Sequence, residues 1–164
     1  MTPGVAWVFP GQGSQAVGMG RELAAARPEA AAVYSDADSV LGIAISQLCW
    51  FGPEEELTRT ANQQPAVLAT SIAHLRVLLQ DNLLPEPDYV AGHSLGEYSA
   101  LVAAGALTLA DGLRLVRLRG ELMELHGRGG MIAVLGLDDE ALAVIANESG
   151  TQVANFNAPG QTTL

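Results

Sequence analysis

Ala91-Gly92-His93-Ser94-Leu95-Gly96-Glu97-Tyr98-Ser99-Ala100 is the stretch on which the reading of the fold turns. Ahead of it, Tyr89-Val90-Ala91 has the apolar character of the end of a short buried strand. Behind it, residues 97–104 have the small side chains of a compact helix. Between them, Gly92-x-Ser94-x-Gly96 matches the strand-to-helix turn of a nucleophile elbow. Such a turn leaves no room for a Cβ at either glycine and holds its serine in a strained conformation with the hydroxyl exposed. A helix that starts at the serine aims its free N–H groups, and the positive end of its dipole, at any oxyanion formed there. A glycine-rich turn with a spectator serine has the same five-residue pattern. The strand and helix signals on both sides favour Ser94 as a nucleophile.

Beyond the elbow, Thr108-Leu109-Ala110-Asp111 reads as a capping box opening a longer helix. Leu109, Leu113, Val116 and Met123 fall on one apolar stripe, and Leu115, Arg119 and Leu122 on a neighbouring one. Arg114, Arg117, Glu121 and Glu124 are free to face water. Arg119 therefore projects from an apolar face, where a guanidinium needs an anionic partner. An internal carboxylate or a substrate carboxylate held bidentately satisfies that need equally well. Gly127-Arg128-Gly129-Gly130 marks a boundary. After it, residues 131–135 read as a strand, 138–148 as a helix capped by Asp138, and 152–155 as a second strand. Residues 155–161 read as a polar turn.

Before the elbow, Val5-Ala6-Trp7-Val8-Phe9 reads as a buried first strand ended by Pro10-Gly11. The loop Gly11-Gln12-Gly13-Ser14-Gln15 either aims a backbone N–H at an oxyanion or is a plain turn. Helices are expected over 18–26, 28–41 and 45–51, with a short acidic turn from Glu54. A further helix is expected from Pro65, a favoured first helical residue. His74 falls inside that helix and reads as a packed or surface residue.

The chain has 164 residues, nearly half of them hydrophobic, and a net charge of −10. That charge argues against nucleic acid or an anionic membrane as partner. No apolar run reaches the ~18 residues of a membrane span, and the start lacks the basic region of a signal peptide. The single Cys49 excludes an internal disulfide and suits a reducing compartment, so a cytoplasmic location is expected. There is no lysine, and Arg114, Arg117, Arg119 and Arg128 cluster in one fifteen-residue window. That cluster is either a solvated helix face or a basic patch for an anionic substrate or an acidic partner.

Together these landmarks resemble the malonyl-CoA:acyl-carrier-protein transacylases and, more widely, the acyltransferase domains of fatty acid and polyketide synthases. The resemblance rests on Phe9-Pro10-Gly11-Gln12-Gly13-Ser14-Gln15, Gln64-Pro65-Ala66, Gly92 to Ser99, Arg119-Gly120 with Met123, and Asn155-Phe156-Asn157-Ala158-Pro159-Gly160-Gln161. It implies an α/β fold with a parallel-sheet, hydrolase-like core over residues 1–127. The start of a small ferredoxin-like α+β subdomain would follow over 128–164, both parts being incomplete. It further implies Ser94 as the nucleophile, backbone N–H groups of Gln12 and Leu95 as the oxyanion hole, and Arg119 as the clamp on a malonyl carboxylate. Gln64, His93 and Asn155 would line the substrate. No cofactor or metal is implied: coenzyme A thioester and the phosphopantetheine thiol of an acyl carrier protein are the substrates. The family's base histidine has no counterpart among His74, His93 and His126, so weak activity of this chain is expected. Two other readings compete: an α/β-hydrolase-type esterase, and an inactive fragment or non-catalytic module that binds acyl-CoA or a carrier protein.

Overall fold

The computed structural model of the chain describes residues 4–127 and 129–164. These fall into two compact units, one ending at His126 and one starting at Gly127.

In the first unit, β1 (Ala6–Phe9) pairs in parallel with β2 (Tyr89–Gly92), Trp7 lying beside Val90 and Phe9 beside Gly92. Side chains alternate across a strand, so this register gives the pair two unlike faces. Trp7, Phe9 and Val90 pack on the core. Val8 and Tyr89, on the other face, are 74% and 72% exposed. The reading of both strands as buried holds for one face only, because among the described residues nothing covers the second.

Seven helices follow the same economy of burial: α1 (Arg21–Ala26), α2 (Pro28–Leu41), α3 (Ile45–Phe51), α4 (Glu54–Thr58), α5 (Thr60–Gln80), α6 (Gly96–Ala103) and α7 (Leu109–His126). The first starts later than expected because Gly18 and Gly20 adopt φ of 98° and 70°, outside helical space. The second has Pro28 in its first turn, where the missing N–H is not needed, and ends at a left-handed Gly42. Around α5 the core closes with Val33, Tyr34, Ile45, Leu57, Leu68, Leu113 and Val116. Tyr34 shares a hydrogen bond of 2.8 Å with Thr70. Cys49 is a buried free thiol, its pKa pushed up to about 12 by desolvation.

Pro65 is not the first residue of its helix. α5 begins at Thr60 and carries Pro65 inside it. An internal proline leaves the carbonyl four residues earlier without its helical N–H. That carbonyl belongs to Ala61, and Arg117 Nη1 donates to it at 3.3 Å. The neighbouring helix thus satisfies the acceptor that proline deprives, which a single-helix pattern does not reveal.

The second unit holds β3 (Ala133–Leu135), α8 (Asp139–Ser149), β4 (Asn155–Ala158) and β5 (Gln161–Thr163), with antiparallel strand order β3-β5-β4. Asp138 Oδ1 accepts from the Ala141 N–H at 2.7 Å and caps α8. Residues 155–161 are not a free turn, and the second strand starts at 155 rather than 152. Pro159-Gly160, with Gly160 at φ 73°, makes a two-residue corner that folds β4 back on β5. Among the described residues no helix is long and apolar enough to cross a membrane.

Candidate active site

Ser94 is one of two non-glycine residues with positive φ among those described, at 53°. The turn around it dictates that conformation. A Cβ on Gly92 would overlap the backbone of Gly96, and one on Gly96 would overlap the carbonyl of Phe9. The peptide N–H of Gly96 donates to the His93 carbonyl at 2.8 Å, and that of Glu97 to the Ser94 carbonyl at 3.2 Å. The chain therefore turns into α6 at the serine. Leu95, buried and helical, stands at the N-terminus of α6, where N–H groups have no intrahelical acceptor.

The loop after β1 presses against this turn. A Cβ on Gly11 would come within 2.7 Å of the His93 carbonyl oxygen, so only glycine allows the approach. The next residue, Gln12, is anchored by its side-chain amide, which donates to Thr60 Oγ1 at 3.4 Å. Gln15 Oε1 accepts from the Gly13 N–H at 3.1 Å and from Gln63 Nε2, fixing the rest of the loop to α5.

Arg119 enters from α7. Its Nη2 donates to Ser94 Oγ at 2.8 Å and its Nη1 to Gln64 Oε1 at 2.8 Å. Its guanidinium carbon lies 5.9 Å from the centroid of the Tyr98 ring. Gln64 is fully buried, and its amide nitrogen donates to Met123 Sδ at 3.3 Å. Arg27, Arg59, Arg76, Arg114 and Arg117 each pair with a carboxylate. Among the described residues Arg21, exposed over the Phe51 ring, and Arg119 have none. A half-buried guanidinium held only by neutral oxygens, beside a half-buried hydroxyl, is a ready receptor for an anion.

Several other expected features differ. The stripe of Leu115, Arg119 and Leu122 is half open rather than packed, because Leu113, Val116 and Gly120 face the core instead. The basic patch is largely neutralised, Arg114 pairing with Asp111 and Arg117 with Glu121; Arg128 lies outside the described residues. Glu124 is exposed as expected, yet it is also engaged, accepting from the Ala61 N–H at 2.9 Å and from Arg59 at 3.2 Å. Together these bonds hold its carboxyl below the usual glutamate range, the Ala61 N–H acting most. His74 is exposed, with Nδ1 2.8 Å from the Thr70 carbonyl, and His126 ends α7. Asn155 belongs to the second unit, in β4 opposite Thr163. A cavity of about 490 Å³ lies along β1 and α5, lined by Trp7, Phe9, Met19, Leu75 and Leu78 among others. Its wall is mainly apolar, with Ser14, Thr70, Ser71 and His74 as its polar side chains, and Ser94 is not part of it.

The chain matches the family model described as acyl transferase domain over residues 6–164. It is 48% identical over 168 residues to the malonyl CoA-acyl carrier protein transacylase of Bacillus subtilis, covering 98% of this chain and 52% of that protein. To the transacylase of the same name from Escherichia coli K12 it is 44% identical, covering 97% and 53%. Among solved structures it is similar to an acyl-carrier-protein-S-malonyltransferase from Bartonella henselae, with TM-score 0.91, 41% identity, and 98% and 54% of the two chains covered. It is likewise similar to a malonyl-transacylase solved in complex with its type II PKS acyl-carrier protein, with TM-score 0.89, 45% identity, and 98% and 54% covered. The chain spans about half the length of these curated relatives.

Proposed function

The chain belongs to the acyl transferase domain family, and from that premise we propose that Ser94 is the acyl-accepting serine of a malonyl-CoA:acyl-carrier-protein transacylase. In the first half-reaction Ser94 Oγ attacks the thioester carbonyl of malonyl-CoA. A C–O bond forms, the C–S bond breaks, and coenzyme A leaves as a thiol carrying the serine proton. In the second, the phosphopantetheine thiol of an acyl carrier protein attacks the serine ester: a C–S bond forms, the C–O bond breaks, and Ser94 Oγ regains a proton from the thiol. The backbone N–H groups of Leu95 and Gln12 hold the oxyanion. Gln64 and His93 line the acyl site, and Asn155 is assigned there by family resemblance alone.

One observation carries the reading: Arg119 is bonded to Ser94 Oγ at 2.8 Å and has no carboxylate of its own among the described residues. Placed there, it holds the free carboxylate of a malonyl group while the thioester carbon meets the serine. An esterase acting on uncharged esters has no use for that guanidinium. The solved complex of a similar malonyl-transacylase with its acyl-carrier protein supports a carrier protein as partner. The second unit is read as the opening of a ferredoxin-like subdomain, and the free Cys49 thiol suits a cytoplasmic setting.

Intact-mass measurement after incubation with malonyl-CoA tests the reading, with Ser94→Ala and Arg119→Met beside the parent. A malonyl adduct is expected on the parent, none on Ser94→Ala, and at least tenfold less on Arg119→Met. An adduct that survives Ser94→Ala, or turnover of a short uncharged ester in preference to malonyl-CoA, overturns it.

A further inference from the structure

Three residues of α7, at helical spacing, grip one residue of α5. Glu124 Oε1 accepts the Ala61 N–H at 2.9 Å, and Arg117 Nη1 donates to the Ala61 carbonyl at 3.3 Å. Between them Gly120 lies against Ala61 so closely that a Cβ there would come within 2.7 Å of the Ala61 Cα. Arg117 is itself aimed by Glu121, at 2.6 Å, and also donates to Asn62 Oδ1 at 2.7 Å. Regular α-helical bonding provides for neither backbone group of Ala61. Its N–H lies in the first helical turn, and its carbonyl faces Pro65, which has no N–H to give.

Residue 61 lies three positions before Gln64, on the same helical face. Arg119 lies next to Gly120 in α7 and in the same turn as Arg117. The grip on Ala61 therefore sets the height and rotation of α5 against α7 at the place where Gln64 Oε1 meets Arg119 Nη1. We propose that Arg117 and Glu124 are positioning residues, which clamp Ala61 so that Gln64 holds the Arg119 guanidinium in place for a substrate carboxylate. This rests on the reading of Arg119 as a carboxylate clamp. Neither residue touches the acyl group; both act through the register of two helices.

Free malonate is the probe, because its binding needs no catalytic base. Its Kd is read from the Arg119 side-chain N–H signal of the ¹⁵N-labelled chain, well below the unfolding midpoint. Glu124→Leu and Arg117→Met are each expected to raise the Kd at least fivefold. Glu124→Gln, which keeps an oxygen for the Ala61 N–H, stays within twofold of the parent. A fold that is merely weakened binds malonate as the parent does at that temperature. Values within twofold for both truncations therefore overturn the clamp, as does a Glu124→Gln defect equal to that of Glu124→Leu. Should a truncation unfold, Arg117→Lys decides: it keeps the charge but cannot bridge Ala61 and Asn62, and at least a threefold rise is expected. Backbone shifts on malonate addition to Arg119→Met separate the two readings. If malonate binds that variant as it binds the parent, or fails to bind the parent, the carboxylate reading itself falls. If Arg119→Met loses malonate while the clamp variants keep it, only the clamp falls.

Discussion

The unit ending at His126 seals Tyr34, Ile45, Leu57, Leu68, Leu113 and Val116 from solvent around α5, whereas the unit from Gly127 buries Leu142, Ala146 and Thr162 and leaves Ile132, Leu135, Val144 and Phe156 exposed. A core of the first kind supports a cooperative fold. One of the second kind, in under forty residues, falls short of what a small unit needs without a staple. The difference bears on function, because Ser94, Gln64 and Arg119 all stand on the well-packed unit. Their geometry is imposed by backbone crowding and helix packing rather than by a mobile loop.

Glycines test this contrast most severely. Gly92→Ala forces a Cβ onto the backbone of Gly96, which cannot step aside without opening the β2–α6 turn. Loss of the cooperative urea transition, or destabilisation beyond about 4 kcal/mol, is expected. Gly136→Ala in the second unit meets nothing within 4 Å and suffers only its positive φ of 84°. Its local cost is about 1–2 kcal/mol. Equal effects at the two positions would break the claim that the serine turn is held by contact.

Leucines come next. Leu68→Ala, fully buried beside Val33 and Leu113 in the same core, is expected to cost about 2–5 kcal/mol. Both tryptophans, Trp7 and Trp50, lie in the first unit, so their fluorescence reports that unit. Leu142→Ala should leave the tryptophan transition within about 0.5 kcal/mol of the parent. A large shift of that transition would show that the two units unfold together. Asp138→Ala removes the cap of α8, a change of about 1 kcal/mol, and should appear as faster amide exchange over 139–149 with the tryptophan transition unmoved.

What the sequence made legible follows the same division. The tight turn was legible because Gly92 and Gly96 leave no room for a Cβ, and Ser94 between them has a positive φ of 53°. Arg119 was legible through its odd place on an apolar stripe, although the stripe proved half open and the partners neutral. The Thr108–Asp111 capping box is formed, the Asp111 N–H donating to Thr108 Oγ1 at 3.0 Å. The reading failed where one element answers another. Pro65 looked like a helix start because the donor that satisfies Ala61 comes from Arg117, more than fifty residues later. Arg117 and Glu124 were read as facing water, and Glu124 does stay exposed, but their bonds to Ala61 are invisible in the pattern of their own helix. An internal proline with glutamines before it was the available signal, since the orphaned carbonyl it creates must find a donor somewhere. In the second unit, pairing between β4 and β5 overrode the polar composition of residues 155–161.

The smallest expected effect distinguishes a structural carboxylate from a solvated one within the first unit. Glu124 is bonded to the Ala61 N–H and to Arg59, so its folded-state pKa lies below the unfolded value. A depressed carboxylate contributes stability that is full above the unfolded value, about 4.3, and fades as pH falls through the folded one. Asp81, held down by Arg27, fades in the same direction, so the parent alone does not isolate Glu124. Glu124→Gln does isolate it, because the amide keeps an acceptor for the Ala61 N–H but does not titrate. The stability difference between parent and Glu124→Gln should be under about 1 kcal/mol near pH 6, in the range of half-exposed ion pairs, and should shrink as pH falls below the unfolded value. Urea midpoints at four pH values measure it. A difference that stays constant across that range would mean that Glu124 acts by shape alone, and that its charge has no part in holding α5 to α7.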